Sequence, residues 1–107
     1  MGTEAYALTE GVFYILLSLV EPMHGYGIMQ NAEALSGGRV RLAAGTLYGA
    51  INTMLERGWI RSLPGETDSR RKQYQITPKG MDALRAEMKR LEELLGNGAR
   101  VLGETTR

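Results

Sequence analysis

Arg70, Arg71 and Lys72 set three cations side by side at the end of a polar stretch that begins at Pro64-Gly65. Cations on an exposed tip can neutralise phosphates without rearranging a core. Upstream, Ala43, Ala44 and Gly45 are small, Thr46 and Tyr48 supply hydroxyls, and Asn52 and Thr53 follow further along the same segment. Small residues let a backbone approach a polyanion closely, and hydroxyls and amides hydrogen-bond to phosphates or base edges. Tyr26 offers another hydroxyl of this kind. Tyr48 follows the apolar Leu47 and so falls off the core line, which favours contact with a partner over burial. His24, alone in a Gly-flanked loop before a helix, reads as a structural cap, and Trp59 as a residue packed beneath a pair of strands.

Other chemistries lack their parts. The chain has no Cys and one His, which excludes a disulfide scaffold, a thiolate zinc site, a His cage and a Cys nucleophile. There is no Ser/His/Asp set and no phosphate loop. Gly25-Tyr26-Gly27 follows an apolar helix instead of a strand, so it is not a dinucleotide fingerprint. The expectation is a protein that is not an enzyme, with no catalytic residues, no metal ligands and no cofactor.

Charge agrees with a phosphate partner only when its distribution is read. The 107 residues carry a net charge of +1. Residues 1–38 contain Glu4, Glu10, Glu21 and Glu33 without a Lys or Arg, a net −4. Residues 39–72 hold Arg39, Arg41, Arg57, Arg61, Arg70, Arg71 and Lys72 against Glu56, Glu66 and Asp68, a net +4. The remainder is +1. A basic middle third is the footprint expected of a face that meets nucleic acid.

The elements that must position these residues follow from hydrophobic spacing. Val12 to Val20, broken by Ser18, is about half a membrane span and lacks a basic leader, so it reads as a buried helix of a cytoplasmic protein with no membrane partner. Thr9 caps it and Pro22 ends it. A second helix is expected over 26–35, with Tyr26, Met29, Ala32 and Ala34 facing inward and Gly37-Gly38 as its stop. Arg39-Val40-Arg41-Leu42 alternates and is a candidate for a very short strand. A third helix spans 44–57 on Leu47, Ile51, Met54 and Leu55, capped by Gly58. Residues 59–63 and 72–76 read as the two strands of a hairpin with a long polar tip.

Thr77-Pro78 opens a last helix that Gly96-Asn97-Gly98 should end, leaving 97–107 as a flexible tail. Met81, Leu84, Met88, Leu91 and Leu95 are spaced 3, 4, 3, 4 along it, the seam of a coiled coil, and a seam this short needs a partner helix. Arg85, Lys89 and Arg90 interleave with Glu87, Glu92 and Glu93 as a solvated face.

Three helices, a hairpin with a basic tip and a long helix is the order of a winged helix-turn-helix. The fold class is therefore mainly α with a small β-hairpin: a winged helix-turn-helix DNA-binding domain over 1–77 and a C-terminal dimerisation helix over 78–96. In that architecture the third helix enters the major groove and the hairpin lies along the backbone or minor groove. The candidate DNA-binding residues are Tyr26, Ala44, Gly45, Thr46, Tyr48, Asn52, Arg70, Arg71 and Lys72. The candidate dimer interface is Met81, Leu84, Met88, Leu91 and Leu95.

Four blocks now carry a resemblance. His24-Gly25-Tyr26-Gly27-Ile28, Gly45-Thr46-Leu47-Tyr48, Leu55-Glu56-Arg57-Gly58-Trp59-Ile60 and Tyr74-Gln75-Ile76-Thr77-Pro78-Lys79-Gly80 closely resemble, in order and spacing, the PadR family of bacterial transcriptional regulators. The resemblance covers roughly residues 8 to 95. It implies a homodimeric winged-helix repressor of the short subfamily, with one C-terminal helix forming most of the dimer interface. It also implies a small aromatic or drug-like effector as a partner beside double-stranded DNA. Gly49 stands where the family usually has Pro, and the last helix has no Trp to stack an effector. The alternative is a winged-helix protein-interaction or small-molecule-binding module without DNA binding.

Overall fold

The computed structural model describes residues 7–65 and 71–104. Four helices and three short strands follow in the order α1 (Glu10–Ser18), β1 (Met23–His24), α2 (Gly25–Leu35), α3 (Ala44–Glu56), β2 (Ile60–Ser62), β3 (Gln73–Ile76) and α4 (Pro78–Leu102). The winged helix-turn-helix expectation holds, with one strand added.

The sequence-coded caps are in place. Thr9 accepts the Val12 N–H at 3.1 Å, His24 Nδ1 accepts the Gly27 N–H at 3.1 Å, and Thr77 accepts the Gly80 N–H at 3.1 Å. Helix α1 stops at Ser18, before the Pro22 that was expected to end it. There the Ser18 hydroxyl donates to the Tyr14 carbonyl and accepts from Asn31, while the Leu19 carbonyl turns out to take the Ile76 N–H at 2.8 Å. The chain then runs into β1, which joins the sheet in the order β1-β3-β2, all antiparallel. Met23 faces Tyr74, and Ile60 faces Ile76.

Residues 39–42 do not form the short strand their alternation suggested. Among the described residues no strand pairs with them. The segment is tied down instead by the Val40 N–H on Ser36 Oγ at 2.8 Å and by its two arginines, described below. The register of α2 also differs from the expected one. Ile28 and Ala32 are its buried side chains, Met29 is half-buried, and Tyr26 and Ala34 face solvent. Gly25 opens the helix against α3, which turns Ile28 inward and Tyr26 away.

The core gathers Ile15, Leu16 and Leu19 of the first helical segment, Ile28, then Leu47, Ile51 and Met54 of α3, Trp59, Ile60, Tyr74 and Leu84. Helix α3 ends in a Schellman arrangement: the Trp59 N–H bonds the Met54 carbonyl at 2.9 Å and the Gly58 N–H bonds the Leu55 carbonyl at 3.1 Å. Gly58 has φ 75°, as that turn requires. The Arg57 guanidinium lies 5.1 Å over the Trp59 ring, whose indole is buried as expected.

The start of α4 is locked to this turn. Thr77 donates its hydroxyl to the Gly58 carbonyl at 2.6 Å, and its N–H bonds the Trp59 carbonyl at 2.9 Å. Gly80 is buried so closely that a Cβ there would overlap the Trp59 carbonyl oxygen and lie 2.7 Å from Ile76 Cγ1. Helix α4 does not end at Gly96-Asn97-Gly98; it runs through them to Leu102, and Gly103 at φ 71° is its stop. Glycine inside a helix lowers its stability by about 1 kcal/mol without forbidding it, and Arg100 here bonds the Asn97 amide oxygen at 3.0 Å. Residues 97–102 are therefore helix, not a tail.

Gly80→Ala is expected to lower folding stability by about 1–3 kcal/mol in urea denaturation, because the atom struck is backbone. The same change at Gly49, which has nothing within 4 Å, should raise stability by up to about 1 kcal/mol.

Candidate nucleic-acid interface and the exposed face of α4

Successive side chains on an α-helix are about 100° apart. With Leu47, Ile51 and Met54 fixed in the core, the line opposite them on α3 holds Gly45, Gly49, Asn52 and Glu56, all exposed. Thr46 and Thr53 share one flank of that line, and Thr53 commits its hydroxyl to the Gly49 carbonyl at 3.2 Å. Ala44 is exposed at the first turn. Tyr48 takes the other flank and is half-buried, its ring against the core and its hydroxyl over Gly25, where a Cβ would strike it. This side chain thus spaces α3 from the start of α2. Burial, and after it the nearby Tyr48 phenol, pushes the Tyr74 hydroxyl above its ordinary pKa. Tyr26 is 64% exposed, and its hydroxyl accepts from the Gln30 amide at 3.4 Å.

The basic middle third is partly answered from within the chain. Arg39 pairs with Glu10 at 2.9 Å and Arg41 with Glu33 at 3.6 Å, so acids of the first third sit on two of the seven cations counted above. Exposed pairs of this kind contribute little to stability. On the hairpin, Arg61 donates to Gln75 at 3.2 Å, Arg71 is exposed and Lys72 is half-buried. Arg70 lies outside the described residues.

Helix α4 divides into two parts. Its first turns pack against the chain's own core: Leu84 is 3% exposed there and Met81 is half-buried. Leu84 therefore leaves little surface for the seam in which its spacing placed it. Farther along, Met88, Leu91 and Leu95 are exposed, and Leu94, Val101 and Leu102 join them. Val101 and Leu102 were missed because the helix was expected to stop, and Leu94 because it lies beside the 3-4 spacing. Met88, Leu91 and Leu95 line an open groove of about 540 Å³ walled by Arg85, Lys89 and Glu92.

Glu87 is a functional-looking charge that sequence reasoning placed on the solvated face, and it is 3% exposed. Arg90 grips both carboxylate oxygens at 2.7 Å, and the Leu8 N–H donates to one of them at 3.3 Å. Those hydrogen bonds, led by Arg90, hold the carboxyl below the ordinary glutamate range against the opposing effect of burial. The i,i+3 pairing with Arg90 was legible; the approach of Leu8, 79 residues away, was not. Among the described residues no group of His and acidic side chains could hold a metal ion, and no helix is long and apolar enough to cross a membrane.

The family model for the "Transcriptional regulator PadR-like family" matches residues 12–86, from α1 into α4. The chain belongs to the PadR-like family. A PadR family transcriptional regulator from Eggerthella lenta is 29% identical, with TM-score 0.65 over 89% of this chain and 82% of that one. A transcriptional regulator from Clostridium thermocellum shares the fold at 24% identity and TM-score 0.70, over 85% of this chain and 87% of its own. A PadR family regulator from Clostridium difficile does so at 24% identity and TM-score 0.66, over 85% and 97%. No curated protein matches. PadR membership accounts for the winged helix and for the helix that follows it.

Because the folded-state pKa of Glu87 is depressed, its ionised form adds stability that is present above the ordinary glutamate value of about 4.3 and is lost as pH falls through the folded value. Wild type should therefore lose stability in urea more steeply than Glu87→Gln as pH is lowered from 5 through about 4 and below. Parallel curves for the two proteins would deny Glu87 this role.

Proposed function

We propose that this PadR-like protein is a homodimeric, sequence-specific DNA-binding repressor whose affinity for its operator is set by a small aromatic or drug-like effector. The observation that carries the reading is the outward line of α3, polar or bare along its whole length and backed by a packed core, with a cationic hairpin following it. Two such helices in a dimer enter successive major grooves about 34 Å apart, which calls for a pseudo-palindromic site. Arg71, Lys72 and, at the tip, Arg70 bind phosphates; Thr46, Tyr26 and the first-turn backbone at Ala44 and Gly45 fix the helix on the duplex; Tyr48 contributes through its edge.

The dimer forms through α4. Six large apolar side chains between Met88 and Leu102 are 43–79% exposed, an area that a lone chain would leave in water. Met81, Met88, Leu91 and Leu95 make the seam, with Leu84 bracing it from the core. The groove beside Met88, Leu91 and Leu95 takes the effector between the two helices, and occupancy favours one spacing of the recognition helices over another.

Fluorescence anisotropy on duplex from upstream of the protein's own gene should show tighter binding than scrambled duplex, falling linearly in log binding constant against log salt. Each wing cation that neutralises a phosphate contributes about 0.9 to that slope, so Arg71→Ala/Lys72→Ala should flatten it. An unchanged slope would remove the wing from the interface. Light scattering should give twice the chain mass, and Leu91→Lys/Leu95→Lys should give the monomer. A wild-type monomer at micromolar concentration would sink the seam.

A further inference from the structure

We infer that Asn52 is the base-reading side chain of α3 and that the base it reads is adenine. The inference rests on the DNA-binding reading above and specifies what the surface recognises.

The exposed positions on α3 are Ala44, Gly45, Thr46, Gly49, Asn52, Thr53 and Glu56. None is Arg or Lys, the residues that pair in bidentate fashion with guanine O6 and N7 in the major groove. Arg57 follows the helix as its C-cap and stacks on Trp59. Glu56 closes the last turn, one turn beyond Asn52 and farthest from the N-terminal end at which such a helix approaches the bases, and its carboxylate only accepts. Asn52 is the one side chain on the outward line that carries both a donor and an acceptor. A carboxamide with that pair matches adenine N6 and N7.

Its surroundings suit that task. The Asn52 side chain is exposed and makes no hydrogen bond among the described residues, so its amide is not committed to the fold. Asparagine is short, and its amide reaches a base edge only when the helix backbone lies low in the groove. One and two turns before it on the same line stand Gly49 and Gly45, each with nothing within 4 Å of where a Cβ would be. Nothing in the protomer requires glycine at either position, and helix propensity disfavours it at both. Bare positions ahead of a short reader give that reader its reach. On the flank, Thr46 and Thr53 offer methyl groups of the kind that contact the thymine C5-methyl. The half-site that α3 reads is thus an A·T step, with G·C excluded by the absence of any long cation on the helix.

Selection of randomised duplexes by the full chain tests this. Wild type should fix one A·T pair in each half-site, with about 5- to 150-fold preference over other bases at that position. Asn52→Ala should level the four bases there to within about twofold while retaining the rest of the consensus, and Asn52→Arg should turn the same position to G·C. Both substitutions are at an exposed helical position, and unchanged thermal melting confirms the fold. A consensus identical in wild type and Asn52→Ala would overturn the assignment, as would a wild-type G·C at the position that responds to Asn52. If wild type enriches no sequence at all, the DNA-binding reading itself fails, before any variant is compared. Gly49→Leu provides a separate check: it should melt no lower than wild type yet bind the selected duplex at least fivefold more weakly. Equal affinity would show that the helix does not lie low and that Asn52 does not reach a base.

Discussion

The arrangement depends on one close approach, the first turn of α4 against the carbonyl of Trp59. Gly80 permits it by having no side chain, and Thr77 secures it with its hydroxyl on the Gly58 carbonyl and its backbone on Trp59. Three elements meet at this point: the Schellman turn that ends α3, the strand β2 that begins the wing, and the helix that carries the exposed apolar face. The orientation of α3 relative to α4 is therefore set by backbone groups rather than by adaptable side chains. Backbone contacts have few alternative arrangements, so the joint is stiff.

Much of this was legible in the sequence, for identifiable reasons. Caps are local: Thr9, His24, Thr77 and Gly58 act within four residues of themselves, and each does what its type and position suggest. The periodicity of α3 was clear because Leu47, Ile51 and Met54 leave one phase for the helix. What sequence did not disclose is long-range or very short. A two-residue strand such as β1 has no periodicity to read, and it exists because β3 offers an edge beside it. Tyr26 was turned outward by Gly25 packing under Tyr48, a contact between different helices. Glu87 looked like one more charge on a wet face until Leu8 crossed it. Leu84 kept the spacing of the seam but was taken by the core. Gly96 and Gly98 resembled a stop, yet a helix ends at a glycine only where the backbone turns left-handed, and that happens at Gly103.

The charge distribution acquires a second meaning from the ion pairs. Glu10 and Glu33 are not merely the acidic third of the chain; they sit on Arg39 and Arg41, in the segment that leads into α3. Pairs so exposed are readily exchanged, since water and salt already screen most of their attraction. They hold the approach to α3 without drawing on the core.

Helix α4 is about 37 Å long at 1.5 Å per residue, and beyond Arg90 almost every side chain is exposed. Mechanically it is a lever with its fulcrum at Gly80. Because the joint is stiff, a rotation of the core by about 10° about Gly80 carries the far end of α4 through about 6 Å, more than one helical turn of rise. The continuation through Gly96 and Gly98 to Leu102 thus lengthens the arm as well as the apolar face. Any displacement of the distal half is thus carried through the joint to β2 and α3 as a rotation of the same angle.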